Sequence, residues 1–159
     1  MNKPVGCLEK YNRMSQDTAA IELKYQLFVE RVAATKLVWA LTSKQGWANS
    51  HAQHDEEVGV VPFWSDRALA KICARDDWRS FTPTEIPLAE FLENWCVGMA
   101  ENGTLAGINW DATMIGKEAD TLNVALDILN RLSAINSAIT FKNYSSINEF
   151  ITEISEPFD

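Results

Sequence analysis

The stretch IPLAEFLENWCVGMAENGTLAGINWDA, residues 86–112, contains the strongest local pattern in this chain of 159 residues. Pro87 suits the first position of a helix, and Asn102 with Gly103 supplies a C-terminal stop. Between them, apolar side chains recur at the three- and four-residue spacing of a buried helix face: Leu88, Phe91, Leu92, Trp95, Cys96 and Met99. Glu90 and Glu93 then fall on the polar side. Residues 105–110 predict a strand, so the stretch predicts a helix packed on a sheet.

Further helices are predicted towards both ends of the chain. Residues 15–35 form the first, with Ser15 as its N-cap. One apolar stripe marks its buried side: Ile21, Tyr25, Phe28 and Val32. Residues 120–132 form another helix, and a capping box of Ser146 and Glu149 opens a last one that Pro157 ends. Residues 138–141 are either a short edge strand or a plain connection.

Three strands are predicted directly after the first helix. Residues 37–42 and 47–52 form a hairpin around a turn at Lys44, Gln45 and Gly46. Both faces of the first strand are apolar, so we expect it in the centre of the sheet. A polar loop at residues 51–57 leads to a third antiparallel strand at residues 58–61, which Pro62 ends. The result is a three-stranded meander.

A short helix and an extended segment follow the meander. Ser65 caps the helix, Asp66 lies in its first turn, and Leu69, Ile72 and Cys73 form its buried side. Residues 81–86 are extended, with Pro83 among them and Pro87 directly after them. The full order, α-β-β-β-α-β-α-β-α-α, describes an α+β fold. Helices pack on a small, mainly antiparallel sheet, which consists of the meander and one or two further strands.

We expect a single domain over residues 1–159, because no internal repeat or long linker divides the chain. Residues 15–130 form its core, and residues 131–159 form a C-terminal helical extension. The sequence does not decide whether the last helix packs on its own chain or on a second copy. A homodimer therefore stays open.

The charge balance limits the classes of partner that the protein can bind. Fourteen basic and twenty-two acidic side chains give a net charge of −8, which repels phosphate backbones and anionic membranes. We therefore expect no nucleic acid and no membrane partner. The longest apolar run, residues 58–64, is far below the roughly 20 residues that span a bilayer. No apolar region follows Lys3, so the N-terminus is not a secretory signal and we expect a cytoplasmic protein. The acidic surface either favours a basic protein partner or serves only solubility.

The three cysteines, Cys7, Cys73 and Cys96, are odd in number and widely spaced. This spacing fits neither a disulfide framework nor a CxxC metal or redox motif. Cys73 and Cys96 lie on apolar helix faces and are expected to be inert core thiols. Cys7 lies in an N-terminal arm, where a reactive thiol stays open.

Reactive groups are few. Both histidines, His51 and His54, lie in the segment HAQHDEE, which is the one weak metal candidate. Their spacing is not that of HExxH, and the segment is predicted as a solvated loop. No positioned base accompanies a serine or cysteine nucleophile. A carboxylate acid/base pair stays open. We expect no cofactor and no catalytic residues.

The six tryptophans allow two interpretations. Packing alone explains a buried tryptophan, and Trp95 is predicted to be core because it lies on the helix stripe. Tryptophans at element ends also suit a pocket or an interaction surface. Trp64, Trp78 and Trp110 are the predicted surface candidates. With three polar neighbours they make up the candidate binding residues: Trp64, Asp66, Trp78, Asn109, Trp110 and Asp111.

Four blocks of the sequence together resemble a bacterial family of unknown function, DUF2750. The blocks contain VW-x-L with GW, PFWS, IPL-x-EFLE-x-W with GMAE-x-G, and G-x-NWDA, here at residues 38–47, 62–65, 86–103 and 107–112. The resemblance covers roughly residues 19–126 and implies a small soluble protein with no assigned reaction. In layout, the chain is also distantly similar to the N-terminal domain of SseB-like proteins, which are secretion-associated and chaperone-like. A shared fold would not establish a shared function.

Three hypotheses about function remain after the sequence alone. The first is a non-catalytic protein-interaction or regulatory module. The second is an immunity-type protein that neutralises a basic toxin. The third is a small-molecule binder or enzyme with a tryptophan-lined pocket near Trp64, Asn109 and Asp111.

Overall fold

The computed structural model describes the backbone of residues 3–155 and the side chains of residues 18–155. The first half of the chain contains α1 (Lys3–Thr35), β1 (Leu37–Ser43), β2 (Gly46–Trp47), β3 (Ser50–Ala52), β4 (Asp55–Phe63), α2 (Arg67–Ile72) and a 3-10 turn (Asp76–Trp78). The second half contains β5 (Thr82–Pro87), α3 (Leu88–Glu90), a π-helical segment (Phe91–Cys96), α4 (Val97–Glu101), β6 (Leu105–Ile108), β7 (Lys117–Ala119), α5 (Thr121–Ala134) and α6 (Ile147–Ser155). The chain is an α+β protein, as the sequence predicts.

The strands form two sheets rather than one. The first has the order β2-β1-β5, and the second has the order β3-β4-β6-β7. Neighbouring strands are antiparallel except β4 and β6, which run parallel. As expected, β1 is central in its sheet. An isolated antiparallel bridge between Trp39 and Trp64 joins the two sheets.

The predicted meander is wrong, because its second strand is divided between the two sheets. Trp47 pairs with Thr42 of β1 in the first sheet, whereas His51 pairs with Gly59 of β4 in the second. The buried residue Ala48 lies at the crossing. The predicted polar loop at residues 51–57 is also wrong, because only a tight turn separates β3 from the start of β4 at Asp55. The polar residues there predicted a loop, but polar residues also occur on exposed strands, and β3 and β4 continue through this segment.

Pro62 does not end its strand. β4 continues to Phe63, with Pro62 opposite Gly107 of β6. The pairing with β3 has already stopped at Val60, so no β3 residue requires the missing N–H of Pro62. A proline in the sequence therefore marked the end of one pairing rather than the end of the strand.

Helix α1 begins at Lys3, so Ser15 is not its N-cap. Cys7 lies within this helix rather than in an arm, and its side chain is outside the described residues. Of the predicted stripe, Tyr25, Phe28 and Val32 are buried in the core. The Tyr25 hydroxyl donates to Asp127 Oδ2 of α5 at 2.5 Å, which ties the two helices together.

The predicted helix at residues 88–101 forms, but its middle is π-helical at Phe91–Cys96. The wider turn brings Glu93 into the interior, where it is only 9% exposed. Its Oε2 accepts the backbone N–H of Lys142 at 3.1 Å, and its Oε1 accepts that of Asn143 at 2.7 Å. The placement of Glu93 on the polar side was therefore wrong, because an α-helical period does not include this π turn.

The C-terminal segment packs on its own chain. Asp120 caps α5 by accepting the N–H of Leu122 at 2.9 Å. Residues 138–141 are a connection rather than a strand. Ser146 Oγ accepts the N–H of Glu149 at 3.0 Å, and α6 packs on α5 through the fully buried Phe150. The predicted stop at Pro157 lies outside the described residues.

Candidate functional site

The loop between β6 and β7, residues 109–116, is the most irregular element near the candidate residues, and we call it the 109–116 loop. Asn109 and Met114 both have positive φ, 48° and 62°. This left-handed conformation is unfavourable in free energy for residues other than glycine, so local contacts must maintain it. The side chains of Trp110, Asn109 and Asp111 provide those contacts.

Trp110 is packed between two glycines. A Cβ on Gly107 would lie 2.4 Å from Trp110 Cε2, and a Cβ on Gly116 would lie 2.5 Å from Trp110 Cδ1. Both distances are too short for any side chain, so the indole requires glycine at these positions. Its Nε1 donates to Lys117 O at 3.3 Å. The two glycines around the tryptophan are thus explained by packing.

The three surface candidates, Trp64, Trp78 and Trp110, are buried, at 0%, 8% and 5% exposed, so of the two interpretations packing applies to them. Trp64 Nε1 donates to Trp110 O at 2.9 Å, and Trp64 and Trp78 pack edge to face at 6.5 Å. Among the six tryptophans, Trp47 is the exposed one, at 36%. Trp95 is partly buried and packs against the core, where it meets Phe63 edge to face at 5.6 Å. Three of the candidate binding residues therefore form an inner layer.

Helix α2 presents more apolar surface than its sequence predicts. Asp66, not Ser65, is its N-cap and accepts the N–H of Leu69 at 3.0 Å. Leu69 and Ile72 are 36% and 56% exposed, so their assignment to the buried side was wrong. Ala70 and Cys73 face the tryptophans instead. Small residues there let the six-residue helix approach the bulky indoles closely.

The described cysteines are free thiols, Cys73 and Cys96, and both are buried. Cys73 Sγ donates to Trp110 O at 3.2 Å. Burial raises the pKa of both thiols, so the reactive thiolate is disfavoured.

Asn109 links the loop to α1 and to the segment that precedes α2. Its Oδ1 accepts the N–H of Ser65 at 2.9 Å, and its Nδ2 donates to Ser65 Oγ at 3.2 Å and to Lys24 O at 3.4 Å. Its own N–H donates to Phe63 O at 2.9 Å. Each polar group of this buried side chain therefore has a partner within the chain, and Asn109 connects the loop to α1 and to Ser65, just before α2.

Asp111 fixes the loop from within. Its Oδ1 accepts from Thr113 N at 2.8 Å, Thr113 Oγ1 at 2.6 Å and Ile115 N at 3.1 Å. Its Oδ2 lies 3.6 Å from Lys24 Nζ. Burial disfavours the charged carboxylate, but the hydrogen bonds from Thr113 and Ile115 and the charge of Lys24 outweigh it. They hold the pKa of Asp111 below its ordinary value. The loop is thereby preformed.

A cavity of about 280 Å³ lies between α1 and α2, beside the loop. Asn109, Trp110 and Asp111 line it, together with the partly exposed Leu27 and Leu69. Two ion pairs connect α1 to the opposite wall. Lys24 pairs with Asp111, and Arg31 Nη1 pairs with Asp66 Oδ2 at 2.7 Å. Three of the six predicted residues therefore line this cavity, but the polar groups of Asn109, Trp110 and Asp111 already have partners elsewhere in the chain.

Two more cavities adjoin the same loop. One of about 630 Å³, the histidine cavity, lies between α1, the β3–β4 turn and the loop, and its lining includes Ile21, His51, His54, Met114, Ile115 and Glu118. The other, of about 270 Å³, is lined in part by Trp47, Trp78 and Met114. His51 and His54 therefore lie at one cavity. Within residues 18–155, however, no three His, Cys, Asp or Glu side chains form a group that could hold a metal ion.

Exposed apolar side chains concentrate around the loop. Among the residues whose side chains are described, eight large hydrophobic residues are exposed, and five of them line these three cavities: Leu27, Trp47, Leu69, Met114 and Ile115. We call this surface the loop face. Sequence reasoning missed it. The signal was present in Met114-Ile115, two adjacent large apolar residues in a loop between strands.

The fold and this face define an α+β protein with two small sheets and a rigid, partly apolar loop surface. The sequence profile of the family described as Protein of unknown function (DUF2750) matches residues 25–128, about two-thirds of the chain, and the chain belongs to this family. Comparisons with curated proteins and with solved structures gave no match. Among the helices that the structure describes, none is long and apolar enough to cross a membrane.

Proposed function

We propose that this protein is a cytoplasmic protein-interaction module whose partner docks on the loop face. The observation that carries the proposal is the concentration of five of the eight exposed large hydrophobic residues around one loop. Contiguous apolar surface with a polar rim is typical of protein-binding sites. The free thiols Cys73 and Cys96 fit a reducing compartment.

The loop is suited to binding because it is already ordered. Three hydrogen bonds to Asp111 Oδ1 and the packing of Trp110 between two glycines fix the backbone that presents Met114 and Ile115. A preformed surface avoids part of the ordering cost of association. The rim is polar, with the Arg31–Asp66 ion pair on one side.

The small-molecule hypothesis receives less support from the same geometry. Asn109 and Asp111 use their polar atoms to hold the loop, α1 and the segment before α2 in place. A ligand pocket needs convergent polar groups that are available to the ligand. These residues therefore support the binding surface from beneath.

The test compares tagged wild-type protein with Ile115→Asp and Leu69→Asp in native lysate of the source cells. Ile135→Asp is the matched control, because Ile135 is 41% exposed, Ile115 is 51% exposed, and Ile135 lies outside the loop face. We expect at least one protein to be retained by the wild type and the control but lost by a loop-face variant. Circular dichroism checks that each variant folds. If nothing binds, or if all four proteins capture the same set, the proposal is wrong.

A further inference from the structure

We infer that the histidine cavity receives a lysine or arginine side chain of the docking protein. The segment of the partner that contacts the cavity is therefore basic and partly apolar. The inference rests on the proposed function and adds the chemistry of the partner. It is based on the shape of the cavity, the charges around it and the apolar residues that line it.

The lining combines an apolar surface with a single carboxylate. Ile21, Met114 and Ile115 supply apolar area, and Glu118 supplies the negative charge. Lysine and arginine side chains have the same two parts, an apolar stem and a cationic head. The adaptable thioether of Met114 suits packing against such a stem.

The charges favour a cation. No lysine or arginine lines this cavity, whereas the cavity between α1 and α2 contains Lys24 and Arg31. Three more carboxylates, Asp55, Glu56 and Glu57, are exposed at the adjoining start of β4. The net charge of −8 would add long-range attraction for a basic partner.

The lysine next to Glu118 is already engaged elsewhere. Lys117 Nζ lies 3.2 Å from Glu22 Oε2 and 4.0 Å from the centre of the Tyr25 ring. Successive residues of a strand point to opposite faces, so β7 directs Lys117 and Glu118 apart. Glu118 therefore has no cationic partner among the residues whose side chains are described.

Glu118 and His51 are oriented before a partner arrives. The N–H of Gln53 donates to both carboxylate oxygens of Glu118, at 3.2 and 3.0 Å. Each oxygen retains capacity for a further donor. His51 Nδ1 lies 3.1 Å from Ala52 O, and since a carbonyl only accepts, Nδ1 carries the proton. In the neutral ring, Nε2 is then an acceptor for an ammonium or guanidinium head.

The experiment selects binders from a displayed library of random dodecapeptides on the wild-type protein. We expect enriched peptides to contain lysine or arginine beside apolar residues. Synthetic copies should bind Glu118→Gln about tenfold more weakly than the wild type, a loss of about 1.4 kcal/mol, because the variant lacks the carboxylate charge. Glu118→Gln retains an acceptor for Gln53 N–H and so isolates the charge. Glu85→Gln, an exposed carboxylate on β5, is the matched control and should bind within about twofold of the wild type.

The remaining outcomes separate the two proposals. Peptides that require Ile115 but lack basic residues and ignore Glu118→Gln would overturn this inference and leave the proposed function intact. A library with no binder sensitive to Ile115→Asp or Leu69→Asp would contradict both. If N-acetylarginine amide alone binds as tightly as the peptides, the cavity is a small-molecule site and the inference is wrong.

Discussion

Trp39 and Trp64 exchange both of their backbone hydrogen bonds, Trp39 N–H to Trp64 O at 2.9 Å and Trp64 N–H to Trp39 O at 2.8 Å. This single bridge connects the β2-β1-β5 sheet to the end of β4 in the second sheet. It also places the Trp64 indole where its Nε1 reaches Trp110 O. The position of the 109–116 loop therefore depends on residues that are distant in sequence.

Gly107→Ala tests the packing of Trp110. The added methyl would overlap the indole at 2.4 Å, and we expect a loss of about 1–3 kcal/mol in the free energy of unfolding. Gly98→Ala is the control, because a Cβ there meets nothing within 4 Å and the residue lies in α4. The control should gain up to about 1 kcal/mol. Urea unfolding measures the free energy of unfolding of both variants. Equal values for Gly107→Ala and Gly98→Ala would contradict the packing argument.

Two substitutions of Asn109 separate its hydrogen bonds from its backbone conformation. Asn109→Gly keeps the positive φ but removes the bonds to Ser65 and Lys24, at a cost of roughly 1–3 kcal/mol for the buried groups left unpaired. Asn109→Ala should cost about 1 kcal/mol more, since alanine disfavours φ of 48°. Chemical denaturation gives both values. A glycine variant as stable as the wild type would show that the bonds are unimportant.

Asp111 gives the stability a dependence on acid. Its folded-state pKa lies below the ordinary value of 3.8, so its contribution is present above that value and is lost as the pH falls through the folded pKa. We expect the stability difference between wild type and Asp111→Asn to shrink as the pH falls from 7 into this acidic range. Thermal melts at a series of pH values measure it. Parallel curves for the two proteins would exclude this role.

Glu93 should hold the C-terminal connection in place. Replacing it with alanine removes the acceptor for the Lys142 and Asn143 amides, and we expect those amides to exchange at least about tenfold faster with deuterium. Glu90→Ala removes an exposed carboxylate of the same helix and is the control. Hydrogen exchange followed by NMR reads out each amide. Unchanged protection in Glu93→Ala would show that other contacts hold the segment.

Much of the fold could be predicted from local pattern. The helices at residues 88–101 and 120–132, the α+β class and the cap formed by Ser146 follow from apolar spacing and capping residues, because these interactions lie within a few positions of one another. The candidate site was predicted in part. Asn109, Trp110 and Asp111 line one cavity, but the exposed residues are Leu69, Met114 and Ile115.

The sequence by itself determined the order and type of most elements and the absence of a long apolar run, since these depend on neighbouring residues. It also determined the family, since the four blocks that resemble it are present in the sequence itself. The tertiary structure alone decided that residues 47–52 divide between two sheets, that a π turn buries Glu93, and that Trp64, Trp78 and Trp110 are internal. It also decided that Met114 and Ile115 meet the β3–β4 turn at one cavity. Most of these outcomes depend on contacts between residues tens of positions apart, such as Trp64 with Trp110 and Glu93 with Asn143, and no local period encodes such contacts.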